Sequence, residues 1–156
     1  MAPVQFRLFR PGDETAFREL NAAWIERHFT MEDTDRKALN DPHGYVLAAG
    51  GAIVMAEQDG EAVGTCALLA IGQGRFELAK MTVAQRLHGQ GIGRKLLAFT
   101  IEHARQLGAT SLFLETNHTL VNAIHLYEVL GFRHLPEEKR HASPYARSDV
   151  QMELIF

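Results

Sequence analysis

Three glycines alternate at positions 89, 91 and 93 in the segment RLHGQGIGRKLL, Arg86 to Leu97, which then changes to a helix-like apolar pattern. Glycine tolerates positive φ and lets the backbone approach a ligand without an obstructing Cβ. A glycine run that opens a helix also brings N–H groups and the positive end of the helix dipole to one point. The segment therefore predicts a strand-to-helix loop that can hold a phosphate or a pyrophosphate.

Known phosphate-binding loops can be compared with this run by counting positions. A Walker loop requires Ser or Thr directly after Gly-Lys, whereas Gly93 is followed by Arg-Lys-Leu. The dinucleotide fingerprint G-x-G-x-x-G also fails, because Arg94 or Leu96 stands where its third glycine is needed. The chain does contain R-x-x-G-x-G, from Arg86 to Gly91. These residues leave one alternative open, an ordinary turn in which the glycines allow the backbone conformation and bind no ligand.

Two basic residues fall in the first turn of the predicted helix. Arg94 and Lys95 follow Gly93 directly, where the helix dipole disfavours a cation by about 0.3 to 1 kcal/mol. A bound polyphosphate would reverse that preference. The basic pair therefore favours an anion-binding loop over a plain turn.

Composition limits the kind of protein that carries this loop. The 156 residues are 46% hydrophobic and 22% charged, and no repeat or linker interrupts them, so we expect residues 1–156 to form a single domain. A formal net charge of -3 gives no general attraction to nucleic acid or to an anionic membrane. No apolar run approaches the roughly 18 residues of a membrane span, and the N-terminus lacks a secretory signal pattern. We therefore expect a cytoplasmic protein.

Apolar periodicity and turn residues predict a mixture of strands and helices. Asp59-Gly60 and Gly72 to Gly74 are typical of hairpin turns, so the segment from Ala52 to Val83 is expected to form three antiparallel strands. The other predicted elements are a strand at VQFRLF, a helix at ETAFRELNAAWIERHF, a short helix ending before Pro42, a helix from about Gly91 to Leu107, a strand at TSLFLET, a helix from about Leu120 to Leu130 and a strand at DVQMELIF. This order indicates an α+β fold with a mixed, mostly antiparallel sheet flanked by helices.

Two segments together resemble the GNAT superfamily of acyl-coenzyme A-dependent N-acyltransferases. FELAKMTVAQRLHGQGIGRKLL is similar to the family's strand, R-x-x-G-x-G pyrophosphate loop and helix, and LFLETNHTLVNAIHLYEVLGF is similar to its later strand and A-x-x-L-Y-x-x-x-G-F segment. The two segments span about Arg75 to Phe132, and the order of the other elements is compatible with the same twisted sheet. The resemblance implies a single-domain GNAT-like fold and acetyl-coenzyme A as cosubstrate.

The resemblance also implies which residues bind the coenzyme. Backbone groups of Met81 and Val83 would face the pantetheine arm, and the loop as far as Arg94 would surround the pyrophosphate. The full set assigned to coenzyme binding is Met81, Val83, Arg86, His88, Gly89, Gln90, Gly91, Gly93, Arg94 and Asn117. For Asn117 the alternative is a cap of the following helix.

Tyr127 is implied by the same resemblance to stand near the acyl sulfur. When an amine attacks a thioester, a proton donor stabilises the departing thiolate, and a tyrosine hydroxyl suits that role. Tyr127 is therefore expected to be the general acid. The alternative is an aromatic residue that fills a helix face, with its hydroxyl in water or on a backbone carbonyl.

Glu77 is the candidate for the general base that removes the proton of the amine. Strict alternation along the strand would place it on one face with Ala79, Met81 and Val83, a small-sided surface on which an amine could rest. A carboxylate among apolar neighbours has a raised pKa, which suits it to accept a proton directly or through water. An ion pair with a basic residue of the same strand is the competing interpretation.

These inferences lead to an N-acetyltransferase that moves an acetyl group from acetyl-coenzyme A directly to a primary amine. Cys66 lies outside both motifs, in the apolar run TCALLAI, and is expected to be a small buried hydrophobe. The eight histidines show no metal-site spacing, so no metal is expected. Two other classes stay open, namely a non-catalytic acyl-coenzyme A sensor or regulatory module and a nucleotide-binding protein.

The acceptor amine is left undefined by the sequence. Glu32, Asp33 and Asp35 hint at a cationic amine, although a solvated charged helix accounts for them equally well. Glu115, in LETN, is a further candidate for a contact with substrate or coenzyme. Small-molecule amines and peptide or protein amines are all compatible with the pattern. A homodimer is the common state of similar proteins.

Overall fold

The computed structural model describes residues 2–156, and its elements follow the predicted order. The strands are β1 (Gln5–Leu8), β2 (Ala52–Gln58), β3 (Glu61–Gly72), β4 (Arg75–Val83), β5 (Ser111–Thr116), β6 (Arg133–His134) and β7 (Val150–Ile155). The α-helices are α1 (Glu14–His28), α2 (Asp33–Asn40), α3 (Ile92–Gln106) and α4 (Val121–Val129). Of the helices between residues 2 and 156, none is both long enough and apolar enough to cross a lipid bilayer.

The strands form one seven-stranded sheet in the order β1-β2-β3-β4-β5-β7-β6. All neighbouring pairs are antiparallel except β4 and β5, which are parallel and are connected through α3. Asp59 and Gly60 have φ angles of 53° and 79°, as the predicted hairpin turn between β2 and β3 requires. The predicted α+β fold with a mixed, mostly antiparallel sheet is confirmed. The two-residue strand β6 was not predicted.

The two faces of the sheet bury separate apolar clusters. The α3-side cluster includes Val54, Cys66, Leu68, Leu96 and Leu97. The α1-side cluster includes Phe17, Ile25, Ile53, Met55 and Ala67, under α1 and α2. Cys66 is fully buried, as predicted for a small hydrophobe.

Helix α3 has a clear start and end because its apolar residues recur at helical spacing between two glycines. Ile92, Leu96, Leu97, Ile101 and Ala104 are all buried against the sheet. Gly108, at φ 80°, ends the helix, where its N–H donates to Arg105 O over 2.9 Å. Since this packing fixes the axis of α3, it also fixes where the glycine loop at its N-terminus points.

A β-bulge interrupts β4 at Lys80. Thr65 of β3 pairs with Thr82, whereas Ala67 pairs with Ala79, so two steps along β3 correspond to three along β4. Lys80 has a φ of 52°, in the left-handed region that a residue with a Cβ rarely adopts. The extra residue shifts the alternation of side chains beyond this point.

The bulge overturns the expectation that Glu77, Ala79, Met81 and Val83 share one face. Ala79 pairs with Ala67 of the α1-side cluster, and Glu77 is two residues from it on the same face. Met81 and Val83 instead pack against the α3-side cluster. The prediction was wrong because strict alternation holds only for a strand without an inserted residue.

Candidate active site

The strands β4 and β5 run side by side only at their beginnings. Their ladder joins residues 75–77 to residues 111–113, although β4 continues to Val83 and β5 to Thr116. The divergence opens a cleft of about 420 Å³. Residues of β4, β5, the glycine loop, α1, α4 and the segment before β7 line it. The parallel pair and its separation thus create the concave site in the sheet.

Most of the predicted site residues line this cleft. They are Glu77, Met81, Val83, His88, Gly89, Gly91, Gly93, Asn117 and Tyr127. Arg86, Gln90 and Arg94 are exposed and do not line it. Arg86 Nη2 instead donates to Glu61 Oε2 over 3.3 Å at the surface. Within residues 2–156, no group of three or more His, Cys, Asp or Glu side chains is placed to hold a metal ion.

The glycine loop and the first turn of α3 hold a run of unpaired backbone donors beside the cleft. Gly91 is the N-cap of α3 with a φ of 76°, and Gly89 has a φ of 81°. The N–H of Lys95 donates to Gly91 O over 3.2 Å, but no group of residues 2–156 accepts a hydrogen bond from the N–H groups of residues 89–94. Such donors at the N-terminus of a 15-residue helix fit a pyrophosphate group.

His88 supplies a basic side chain of the loop to the cleft wall. The spacing of R-x-x-G-x-G occurs a second time two residues later, with His in place of Arg, from His88 to Gly93. His88 Nε2 lies 2.9 Å from Val83 O, at the end of β4. The segment from His88 to Gly93, apart from Gln90, therefore lines the cleft, whereas Arg86, the first residue of R-x-x-G-x-G, does not.

Glu77 has no hydrogen bond or ion pair with any residue of the described chain. The competing interpretation, an ion pair with Arg75 or Lys80, is therefore not what the structure shows. Burial and the negative charge of Glu115 raise the pKa of Glu77 to about 7, against a smaller opposing effect of Lys80. A carboxyl group with this pKa can both take up and release a proton near neutral pH.

Tyr127 lies half-buried on α4, in the cleft wall. Its ring packs edge-on against Phe132, with 5.9 Å between the ring centroids, and Phe132 N–H donates to Tyr127 O over 3.0 Å. Burial and the neighbouring Cys66 raise the pKa of Tyr127 above its usual value. Its hydroxyl is hydrogen-bonded to no described residue, so it keeps its proton and can donate it to a ligand.

Asn117 connects the end of β5 to the segment before β7 by a hydrogen bond. Its Nδ2 donates to Arg147 O over 2.8 Å, and its Oδ1 accepts from Thr119 N over 2.9 Å. These contacts stabilise a turn ahead of α4, whose N-cap is Leu120. Asn117 therefore does not cap the helix itself, and one hydrogen of its amide stays available in the cleft.

Asp35 of α2 joins three separate parts of the chain. Its carboxylate accepts hydrogen bonds from Lys80 Nζ over 2.6 Å and from the two terminal nitrogens of Arg147 over 2.7 and 2.8 Å. Glu32 adds a contact of 3.3 Å to Arg147, and Lys80 Nζ lies 3.1 Å from the Tyr145 hydroxyl. Burial by itself would raise the pKa of Asp35, but the hydrogen bonds from Arg147 and Lys80 outweigh it and lower the pKa to about 2.

Sequence reasoning missed this network and interpreted its acidic members as a hint of a cationic acceptor. Glu32 and Asp35 instead neutralise Arg147 and Lys80, and Asp33 is an exposed surface residue. The partners of Asp35 lie 45 and 112 positions away, so no local pattern connects them. The spacing of Glu32 and Asp35 could have indicated that both are structural residues, because they form a reciprocal capping box at the start of α2.

Comparison with known proteins places these features among acetyltransferases. A family model described as the acetyltransferase (GNAT) family matches residues 14–132. An uncharacterized N-acetyltransferase of Escherichia coli, YjgM, is 29% identical over 143 residues, which cover 86% of this chain and 84% of that protein. Mycothiol acetyltransferase of Acidothermus cellulolyticus and human N-acetylaspartate synthetase are 33% and 30% identical, over 84% and 89% of this chain. The chain spans 45% of the length of each of these two relatives.

Solved structures share the fold. A GNAT-family acetyltransferase of Staphylococcus aureus superposes with a TM-score of 0.88 at 18% identity, covering 98% of this chain and 99% of that protein. The Salmonella typhimurium protein yncA, whose structure holds acetyl-CoA as its cofactor, superposes with a TM-score of 0.74 at 22% identity. That match covers 99% of this chain and 94% of yncA.

Proposed function

The chain belongs to the acetyltransferase (GNAT) family, and from this premise we propose that it transfers an acetyl group from acetyl-coenzyme A directly to a primary amine. One observation carries the proposal: the unpaired N–H groups at the N-terminus of α3, the unpaired carboxyl group of Glu77 and the unpaired hydroxyl of Tyr127 border a single cleft. A pyrophosphate needs the first of these, an amine that must lose a proton needs the second, and a departing thiolate needs the third.

The cleft fits coenzyme A at its phosphates and along its pantetheine arm. The N–H groups of residues 89–94 would bind the pyrophosphate, and Arg94 adds positive charge from the first turn of α3. Past Glu77, β4 has no strand partner on the β5 side, so the strand edge at Met81 and Val83 faces the amides of the arm, although the carbonyl of Val83 also lies 2.9 Å from His88 Nε2. Bound there, acetyl-coenzyme A supplies the thioester from which the acetyl group is taken.

Glu77 serves as the general base. An aliphatic amine is an ammonium ion in neutral water, and its nitrogen can attack a carbonyl only after losing a proton. With a pKa of about 7, Glu77 is ionised in many molecules at neutral pH and still has a higher proton affinity than an ordinary carboxylate. It accepts the proton directly or through a water molecule and then releases it to solvent.

Tyr127 serves as the general acid. As the amine nitrogen bonds to the carbonyl carbon, the carbon–sulfur bond breaks and its electron pair leaves on sulfur. The Tyr127 hydroxyl gives its proton to that sulfur and later regains one from solvent, while the acetylated nitrogen loses its second proton to solvent and becomes a neutral amide. Its raised pKa keeps the phenol protonated until this step.

Direct transfer is supported by the surroundings of Cys66. Its side chain is fully buried in the α3-side cluster, and burial raises the pKa of its thiol to about 12. A thiolate is the nucleophilic form of cysteine, and a thiol with this pKa does not form it at neutral pH. An acyl-cysteine intermediate therefore has no suitable nucleophile here.

The proposal is tested by free-thiol release from acetyl-coenzyme A in the presence of primary amines, with the mass of the product measured in parallel. We expect thiol release that depends on the amine and a product heavier by one acetyl group. A tertiary amine, which cannot form a stable amide, is the matched control and should give no release. Binding of acetyl-coenzyme A without release for any primary amine would contradict the proposal.

A further inference from the structure

The charges that line the cleft are unevenly compensated. Lys80 and Arg147 supply positive charge, but Asp35 binds both of them and Glu32 binds Arg147 as well. Glu77 lines the same cleft and has no such partner among residues 2–156. The cations are thus neutralised within the protein, and a ligand finds free negative charge there instead.

Glu115 lies beside Glu77 on the neighbouring strand. Glu77 stands opposite Phe113 in the parallel ladder, and Glu115 follows two residues later on the same face. In an ideal ladder, with strands about 4.8 Å apart and a rise of about 3.3 Å per residue, this offset corresponds to about 8 Å between Cα atoms, and the two side chains are near enough for the charge of Glu115 to act on Glu77. One Glu115 oxygen accepts a hydrogen bond from Ser143 Oγ, and the other has no partner in the described chain.

A further acceptor atom in the cleft also lacks a donor. Asn21 of α1 is only 2% exposed and lines the cleft, and its Nδ2 donates to Phe17 O over 2.9 Å. No described residue donates to its Oδ1. Trp24 adds an aromatic ring to the same wall, and aromatic faces attract cations. Glu77, Glu115 and Asn21 therefore offer hydrogen-bond acceptors and negative charge to a ligand beside them, and such a ligand must bring donors and positive charge.

We infer that the acceptor is an amine with a second cationic group, bound with its reacting nitrogen at Glu77 and its second cation at Glu115. This inference rests on the proposed function, because it names the substrate class of the same site. A carboxylate in place of the second cation would meet Glu115 and would find Lys80 and Arg147 already paired. Amino acids that react at their α-amino group are therefore poor acceptors.

Three amines built on the same four-carbon chain test this inference. Putrescine ends in a second ammonium group, n-butylamine in a methyl group and γ-aminobutyrate in a carboxylate. We expect kcat/KM for thiol release to fall in that order, by about tenfold at each step, as for the gain or loss of one partly buried charge contact. A kcat/KM for γ-aminobutyrate equal to or above that for n-butylamine would overturn the inference and leave the proposed function standing.

The variant Glu115→Gln tests the role of the second carboxylate. It removes the negative charge and keeps the size, so we expect the ratio of kcat/KM between putrescine and n-butylamine to fall from about tenfold toward unity. Glu102→Gln is the matched control, because Glu102 is exposed on α3 and lies outside the cleft. It should leave that ratio as in the unmodified protein. An unchanged ratio in Glu115→Gln would show that Glu115 does not hold the second cation.

Acceptor binding can also be followed without turnover. Trp24 is the single tryptophan of the chain and lines the cleft, so its fluorescence reports on an occupied acceptor site. With coenzyme A present, putrescine should change the emission at a concentration about tenfold lower than n-butylamine. Equal half-saturation by the two amines would contradict the inference. Thiol release with other primary amines but with none of these three would overturn the inference alone, whereas release with no primary amine, despite coenzyme binding, would overturn the proposed function as well.

Discussion

Burial changes the chemistry of Glu77 at the level of the single residue. As a base it must be ionised, and its pKa is about 7, so we expect kcat/KM to fall as the pH drops below about 7. Glu77→Gln should lower kcat by about 10²-fold or more and remove this titration. The measurement is kcat/KM between about pH 5 and pH 9 for both proteins. The same inflection near neutral pH in the variant would assign it to another group.

The raised pKa of Glu77 should also change how the stability of the fold depends on pH. Its folded pKa is raised from 4.5 to about 7, so the folded state keeps a proton that the unfolded state loses between these values. Stability is therefore lost as the pH rises through this range, by about 3 kcal/mol. Gln cannot lose a proton, so Glu77→Gln should be more stable than the unmodified protein at pH 8 and not at pH 4. Urea unfolding at both pH values checks this, and an equal difference at the two would count against it.

The variant Tyr127→Phe distinguishes the two possible roles of Tyr127, general acid and packing residue. The ring contact with Phe132 is kept and no hydrogen bond to the protein is lost, so thermal stability should be nearly unchanged. Removal of the proton donor should lower kcat by about 10²-fold or more and leave KM for acetyl-coenzyme A close to its original value. Steady-state kinetics with the thiol assay measures both. Unchanged kcat would reduce Tyr127 to a packing residue.

At the scale of elements, the glycine loop and the first turn of α3 can be tested by hydrogen exchange. The N–H groups of residues 89–94 have no acceptor in the described chain, so they should exchange rapidly in the free protein. Bound coenzyme A would accept hydrogen bonds from them and slow their exchange. The N–H groups inside α3, bonded within the helix, are the internal control. Fast exchange of the loop in the presence of saturating coenzyme A would rule out the pyrophosphate site.

The network of ion pairs around Asp35 is a second feature at the scale of elements. It ties α2, the bulge of β4 and the segment before β7 together through Lys80 and Arg147. Asp35→Asn would leave two poorly compensated cations in a mostly buried place and should destabilise the fold by about 3 kcal/mol or more. Asp33→Asn, on the exposed side of the same helix, is the matched control and should have little effect. Denaturant unfolding compares the two, and similar midpoints would contradict the role of Asp35.

At the scale of the whole molecule, ligand binding should appear in thermal unfolding. A ligand at 100 times its Kd stabilises the folded state by about 2.7 kcal/mol, which corresponds to a rise in Tm of roughly 5 to 10 °C for a domain of this size. We expect coenzyme A and acetyl-coenzyme A to produce this shift, and ATP and NAD at equal concentration to produce much less. A shift with ATP or NAD alone would overturn the assignment of the glycine loop.

Most of the elements could be predicted because their signals are local. The helix from about Gly91 to Leu107, the turn at Asp59-Gly60 and the helix from about Leu120 to Leu130 each depend on residues close in sequence, and the structure contains all three near the expected positions. The bulge at Lys80 could not be predicted, because its cause is the pairing of β4 with β3 rather than any residue pattern in β4 alone. That single insertion moved Met81 and Val83 to the other face of the sheet.

The sequence by itself determined the order of the elements, the glycine loop and the family, since each depends on neighbouring residues. Only the tertiary structure decided which charges are free. Glu32 and Asp35 looked available to a ligand and are bound to Lys80 and Arg147, whereas Glu77 looked as though it could be paired and is not. Ion pairing depends on distances between side chains that are remote in sequence, and the fold alone sets those distances.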